Sequence, residues 1–303
     1  MTHRRAVLMM VVVTLMWSIA GVVVRQLESA RSFEVTFWRS AFTVVALAIL
    51  LSWLRGLKPL VQSLRAGGRT LWVSGLCWAV MFTAFMLALT LTTVANVLVT
   101  MAISPLLTAV ISCAVLGHRL AARTWVAIVA AGLGIAWMYA HEVSGSDARN
   151  LLGTMIALGV PVAAAINWTL LQHSRNIANR DPNLDLLPAV LIGAAISALV
   201  TLPLAVPFAT SPHDLAWLAL LGVVQLSIPC LMSVVAARNL SAPEASLLAL
   251  LEVIFGVAWA WWGADETPTV HVLSGAALVL GALAANETLA LRSSRVVMRS
   301  CPD

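Results

Sequence analysis

A glutamate, Glu252, lies inside the apolar run 243–263, where a carboxylate is tolerated only under particular conditions. At hydrocarbon depth an ionisable side chain faces protein or water rather than lipid, and it is a functional candidate by default. Two roles are open to Glu252. It can carry a proton or answer a charge during a transfer, or it can stay neutral and hydrogen-bonded as a structural acid. Other apolar runs hold polar and aromatic side chains with a chemistry of contact: Trp17 and Ser18, Trp78 and Phe82, Ser104, Asn167 and Gln225. Aromatic faces receive apolar groups and hold an ammonium by cation–π attraction. Ser104, Asn167 and Gln225 offer hydrogen bonds, although Gln225 is equally readable as a bond between two helices. Bond-breaking chemistry has no support. There is no HExxH, no paired-aspartate motif, and Gly145-Ser146 falls in a loop. Four cysteines without a C-x-x-C pair give neither a disulfide framework nor a zinc site, and no cofactor is expected.

The elements that must position these groups follow from composition. With 61% hydrophobic and 10% charged residues, the chain is not a soluble globular domain. Ten stretches are apolar enough for roughly 20-residue membrane helices: 6–24, 33–54, 71–90, 94–116, 124–140, 151–171, 186–208, 215–237, 243–263 and 270–291. Period-two alternation, which a lipid-facing barrel requires, is absent. The expected class is an all-α membrane protein. Trp53, Trp72, Trp125, Trp137, Trp217, Trp259, Trp261 and Trp262 near the stretch ends read as an interfacial belt.

Placing the N-terminus inside puts fourteen basic residues on that side and three (Arg25, Arg31, Arg149) on the other, with Arg39 inside a stretch. The bias predicts cytoplasmic termini, an external loop at 142–149 and residence in the cytoplasmic membrane. The +5 net charge is thereby assigned to topology, and no basic stripe with interleaved aromatics suggests nucleic acid. Arg39 is expected to snorkel outward or to pair with Glu34.

At about 1.5 Å of rise per residue, Trp17 and Ser18 come about 16–18 Å into the first stretch, Trp78 and Phe82 about 10–17 Å into the third, and Glu252 about 13 Å into the ninth. Ser104-Pro105, Pro161 and Gln225 fall at similar depth, with Asn167 nearer the cytoplasm and Pro229 slightly past the centre. One shared layer is expected to line a cavity, with Pro105, Pro161 and Pro229 as hinges, since membrane helices tolerate proline where neighbours satisfy the freed carbonyls.

The chain also repeats itself. Gly75 is answered by Gly222, Thr93-Val94-Ala95-Asn96 by Ser241-Ala242-Pro243-Glu244, and the Gly132 region by Gly281, all near an offset of 148 residues. Five stretches per half, an odd number, return the second half to the membrane inverted. The units are therefore 1–147 and 148–303, and two units of opposite topology describe a transporter that alternates its access. Small residues on the fifth and tenth stretches (Ala130, Ala131, Gly132, Gly134; Gly275, Gly281, Ala285) predict close packing there, in a monomer or weak dimer.

Several residues carry a resemblance. Trp17-Ser18 followed by Arg25, then Arg39, resembles the W-[GS] and downstream basic residue of EamA-type transporters in the drug/metabolite transporter superfamily. Ser104-Pro105 with Gly117-His118 is similar to the family's proline-containing fourth span and its Gly-Glu ending. Leu251-Glu252, with Glu266 fourteen residues on, resembles the ninth-span LEP…GE pattern. Val253 departs from that proline, His118 from the glutamate, and Asp265 from the glycine before Glu266. The resemblance implies a ten-helix inverted repeat and export of metabolites, amino acids or toxic compounds. The aromatic residues at depth are similar to the branch exporting aromatic amino acids. Proton-coupled export of drugs or organic cations, and a channel-like facilitator, are the alternatives.

Overall fold

The computed structural model describes all residues except Arg25, Arg31, Thr93, His118, Arg119, 140–147, 178–184, 265–269 and 300–303. The expectations placed on the 142–149 loop before Ala148, and on His118, Asp265 and Glu266, fall outside the described residues. Among the described residues every regular element is a helix. In order they are α1 (His3–Trp17), α2 (Ala20–Val24), α3 (Ser32–Arg55), α4 (Leu57–Ala66), α5 (Arg69–Leu91), α6 (Val94–Met101), α7 (Ser104–Leu116), α8 (Ala122–Tyr139) and α9 (Ala148–Ile177). Then follow α10 (Leu187–Ala205), α11 (Pro212–Leu220), a π-helical turn at Leu221–Ser227, α12 (Ile228–Ala237), α13 (Ala242–Ala249), α14 (Leu251–Ala264) and α15 (Val270–Arg299).

Among the described residues six helical stretches are long and apolar enough to cross a membrane by length and composition: His3–Val24, Phe33–Arg55, Arg69–Leu91, Leu151–Ser174, Leu187–Ala205 and Pro212–Ala237. Three shorter apolar helices cover Ser104–Leu116, Ala122–Trp137 and Leu273–Asn286. Of the four expected stretches that fall short, the fourth and ninth are each two short helices, and the fifth and tenth are the shorter Ala122–Trp137 and Leu273–Asn286. Helix α4 is a further departure. Gly56, at φ 85°, turns the chain out of α3 into a short amphipathic helix that buries Leu60 and exposes Leu57 beside Lys58. The sequence pattern left this segment as a loop.

The breaks in the fourth and ninth stretches lie 148 residues apart, at Ala102-Ile103 and at Leu250. Each is a single tight turn, with the amide of Ile103 bonding to the carbonyl of Thr100 and that of Leu250 to the carbonyl of Leu247. Pro105 falls in the first turn of α7, where its missing N–H costs nothing. Val253 occupies the matching place in α14, so the second break forms without proline. At this level the two stretches meet, and the hydroxyls of Ser104 and Ser246 are 3.0 Å apart.

Packing maps onto itself when the halves are exchanged. Helix α5 packs on α9 as α12 packs on α1, and α5 meets α10 as the π turn meets α3. Helix α7 meets α9 as α14 meets α1, while α8 lies along α15. Without water between them, membrane helices associate by van der Waals fit, which favours small residues at the contact. Gly75 and Gly222 serve that purpose in corresponding places. A Cβ on Gly75 would come 2.6 Å from Ile192 of α10, and one on Gly222 would come 2.7 Å from the Arg39 carbonyl of α3. In the α8–α15 pair, Gly134 lies against Val279 and the Gly275 carbonyl, whereas Gly132 and Gly281 face open space. Only part of the small-residue pattern is therefore packing between these two helices.

Polar ties fasten both ends of α3. At its start, Glu34 accepts from the Ala209 amide and the Thr210 hydroxyl. Reciprocally, Asp214 in the first turn of α11 accepts from the amides of Glu28, Ser29 and Ala30 and from the Ser29 hydroxyl, at 2.8–3.0 Å. At the far end of α3, Asp185 bridges Arg55 and Arg238, while Gln172 of α9 accepts from the Ala242 amide at the start of α13.

Candidate functional site

A central cavity opens between the halves, enclosing about 880 Å³ of empty space including its mouth. The lining includes Trp17, Trp78, Phe82, Ser104, Pro161, Gln225 and Glu252 of the expected residues, together with Arg39, Phe85, Met101, Trp168, Cys230 and Ser246. Four lining pairs are separated by 148 residues: Trp78 and Leu226, Phe82 and Cys230, Met101 and Ala249, Ser104 and Glu252. The cavity thus straddles the relation between the halves. At these four pairs the halves differ, with Trp78 and Phe82 of α5 answered by the smaller Leu226 and Cys230, and Ser104 answered by Glu252.

Each polar side chain has an identifiable support. The π turn carries Gln225. Its i→i−5 geometry, seen at the Ile228 amide bonding to Val223, widens the helix around the Gly222 carbonyl. Thr43 and Ser227 hydroxyls satisfy that carbonyl at 3.1 and 2.7 Å. Gln225 Nε2 then donates to the Trp17 carbonyl at 3.2 Å, at the point where α1 ends before α2, while its Oε1 is buried without a partner. Trp78 stacks obliquely on Phe82, centroids 5.5 Å apart, and its indole N–H is also unpartnered.

Arg39 turns inward. Its Nη2 donates to the Phe82 carbonyl at 3.0 Å, its Nε is unpartnered, and only 1% of the residue is exposed. The expectation of an outward or Glu34-paired Arg39 is corrected, because Glu34 is engaged by the 209–210 segment. Glu252 stands in the first turn of α14 just past the break, and its charge and that of Arg39 act on one another. Among the described residues Glu252 makes no hydrogen bond or ion pair.

Two expected residues are committed elsewhere. Ser18 is buried, donates to the Leu15 carbonyl and accepts from the Trp259 indole at 3.0 Å. That bond takes Trp259 out of the interfacial belt, whereas Trp53, Trp72 and Trp137 are exposed. Asn167 accepts from Ser74 at 2.6 Å, and the neighbouring Trp168 reaches the cavity in its place. Of the expected hinges, Pro161 lines the cavity within an unbroken α9, and Pro229 lies in the first turn of α12. Arg39 and Trp168 were the residues to add: a buried cation on an apolar helix is itself a signal, whereas nothing in sequence distinguishes Trp168 from Asn167.

Two family-length units with a shared cavity between them define a membrane-transporter architecture. The chain belongs to the EamA-like transporter family, whose pattern matches residues 4–140 and again 151–286. It is accordingly a membrane transporter of the drug/metabolite type. No curated protein matches it. A solved structure described as a crystal structure of a protein is similar at 17% identity over 95% of this chain and 98% of its own, with a TM-score of 0.76, a likeness of fold.

Proposed function

We propose that the chain is a ten-span carrier of two inverted five-helix units, 1–147 and 148–303. It exports small amphipathic metabolites, foremost amino acids including aromatic ones, from the cytoplasm by alternating access. The observation that carries this reading is the cavity lined by equivalent positions of both halves, with aromatic groups and one charged side chain from each. A cavity shared by two like units is the arrangement in which rocking one against the other exchanges its mouth. Trp17, Trp78 and Phe82 receive the apolar part of the cargo, and Ser104, Gln225 and Glu252 its polar part. Ser18 and Asn167 support the cavity from behind. Among the described residues Glu252 is the only acid in the lining, so the export is read as exchange without obligatory proton antiport.

Purified protein in liposomes is expected to show saturable counterflow of aromatic amino acids, with no accumulation driven by a pH gradient. Flux that never saturates would make it a channel, and accumulation that follows the gradient would make it a proton antiporter. The proposed orientation in the cytoplasmic membrane, termini inside, has a separate check. A probe cysteine replacing Ser146 is expected to react with an impermeant reagent from outside and Cys301 to be spared; the reverse pattern overturns the orientation.

A further inference from the structure

We propose that the cavity selects a small zwitterion, an α-amino acid whose carboxylate is held by Arg39 and whose ammonium is held by Glu252. This rests on the transport reading above and narrows it from amphipathic solutes in general to those with both charges.

Among the described residues the charge inventory of the lining is one guanidinium and one carboxylate, on helices α3 and α14 from opposite halves. A guanidinium offers five N–H donors. Arg39, buried in the bundle, spends Nη2 on the Phe82 carbonyl and leaves Nε–H without a partner. Removing such a charge from water is expensive unless an acceptor of opposite charge completes it. Glu252, in the same cavity, makes no hydrogen bond or ion pair among the described residues, and a carboxylate accepts several hydrogen bonds. Two further groups match the same ligand. The unpartnered indole N–H of Trp78 is a donor suited to a carboxylate, and the unpartnered Oε1 of Gln225 is an acceptor suited to an ammonium.

Charge arithmetic discriminates among cargo classes. An organic cation satisfies Glu252 and is repelled by Arg39. An organic anion does the reverse. A zwitterion answers both, and its side chain falls to the aromatic wall of Trp17, Phe82, Phe85 and Trp168. Arg39 is tethered to the backbone of α5, the helix bearing Trp78 and Phe82, so the carboxylate pole and that wall are fixed relative to one another.

The test uses the full-length protein in nanodiscs with three probes on one phenylethyl frame: L-phenylalanine, phenethylamine, which lacks the carboxylate, and 3-phenylpropanoate, which lacks the ammonium. Binding is read by calorimetry, and thermal unfolding of every variant is recorded. The parent is expected to bind phenylalanine at least tenfold more tightly than either analogue. Arg39→Gln is expected to erase the preference over phenethylamine and to keep that over 3-phenylpropanoate. Glu252→Gln is expected to do the opposite. Phenethylamine or 3-phenylpropanoate binding the parent as well as phenylalanine overturns the proposal, as does an equal loss for all three probes in both variants. If a variant fails to fold, the ranking of probes on the parent decides alone. Absence of binding by all three also overturns it. Counterflow of organic cations without counterflow of phenylalanine would sink the zwitterion and leave the transporter standing, whereas no counterflow of any solute sinks the transport reading itself.

Discussion

Replacing Asp214 with alanine is expected to cost on the order of 3 kcal/mol of stability, roughly 5 °C in Tm for a chain of this size. The carboxylate is wholly buried and accepts from four donors at 2.8–3.0 Å, three of them backbone amides of residues 28–30. Bonds to a charged acceptor are worth about 1.5–3 kcal/mol, and donors left unpaired cost comparable amounts when buried. Asp214→Asn keeps one acceptor oxygen and is expected to recover part of the loss. An Asp214→Ala protein that unfolds with the parent would show that residues 28–30 are held without it. Because Glu34 ties the same two connections in the opposite sense, Glu34→Ala combined with Asp214→Ala should lose less than the sum of the single losses, as groups in one network do.

Gly193→Val is expected to damage both stability and cargo binding, more than Gly222→Ala and far more than Gly281→Ala. A Cβ on Gly193 would overlap Trp78 Cβ and lie 2.9 Å from the Gly75 carbonyl and 3.0 Å from the Ala79 amide. Backbone atoms cannot yield as a flexible side chain does, so α10 must leave α5. Overpacking of this kind costs about 1–3 kcal/mol or more, and here the displaced element carries Trp78 into or out of the cavity. At Gly222 the obstacles are Phe42 Cβ and the Arg39 carbonyl, and an alanine there should move Arg39. Gly281 meets nothing within 4 Å, so its alanine variant is the control. Thermal unfolding together with phenylalanine binding reads both effects. A Gly193→Val protein with the stability and affinity of the parent would contradict the close α5–α10 approach.

Depth was legible in the sequence and azimuth was not. Counting residues along apolar runs brought Trp17, Trp78, Phe82, Gln225 and Glu252 to one layer, and all five line the cavity. Consecutive residues on a helix point about 100° apart, so the same count could not choose Trp168 over Asn167 or set Ser18 behind Trp17. Hydrogen bonds to Ser74 and Trp259, partners distant in sequence, decided those cases. The amphipathic α4 was missed because its short apolar face lies among charges in what reads as a connection. The break at Leu250 was unforeseen because breaks were sought at prolines. Its turn is closed by the Leu250 amide on the Leu247 carbonyl, close to where Ser246 meets Ser104 of the first half. The glycine pair Gly75 and Gly222 was visible as a repeat, but its purpose appeared only with the neighbouring backbones in place.

A carrier made of two identical inverted halves would be energetically degenerate: exchanging the conformations of its halves turns the inward-facing state into the outward-facing one at no cost. This chain is not degenerate. Wherever equivalent positions differ, as with Ser104 and Glu252, Trp78 and Leu226, or Pro105 and Val253, the exchange places unlike groups in each other's surroundings. On the proposed alternating-access reading, the resting preference of the empty protein for one side of the membrane is written in the mismatches between the repeats. A substitution that makes one such pair alike shifts that preference, and at Trp78, Ser104 or Glu252 it alters a cargo contact as well.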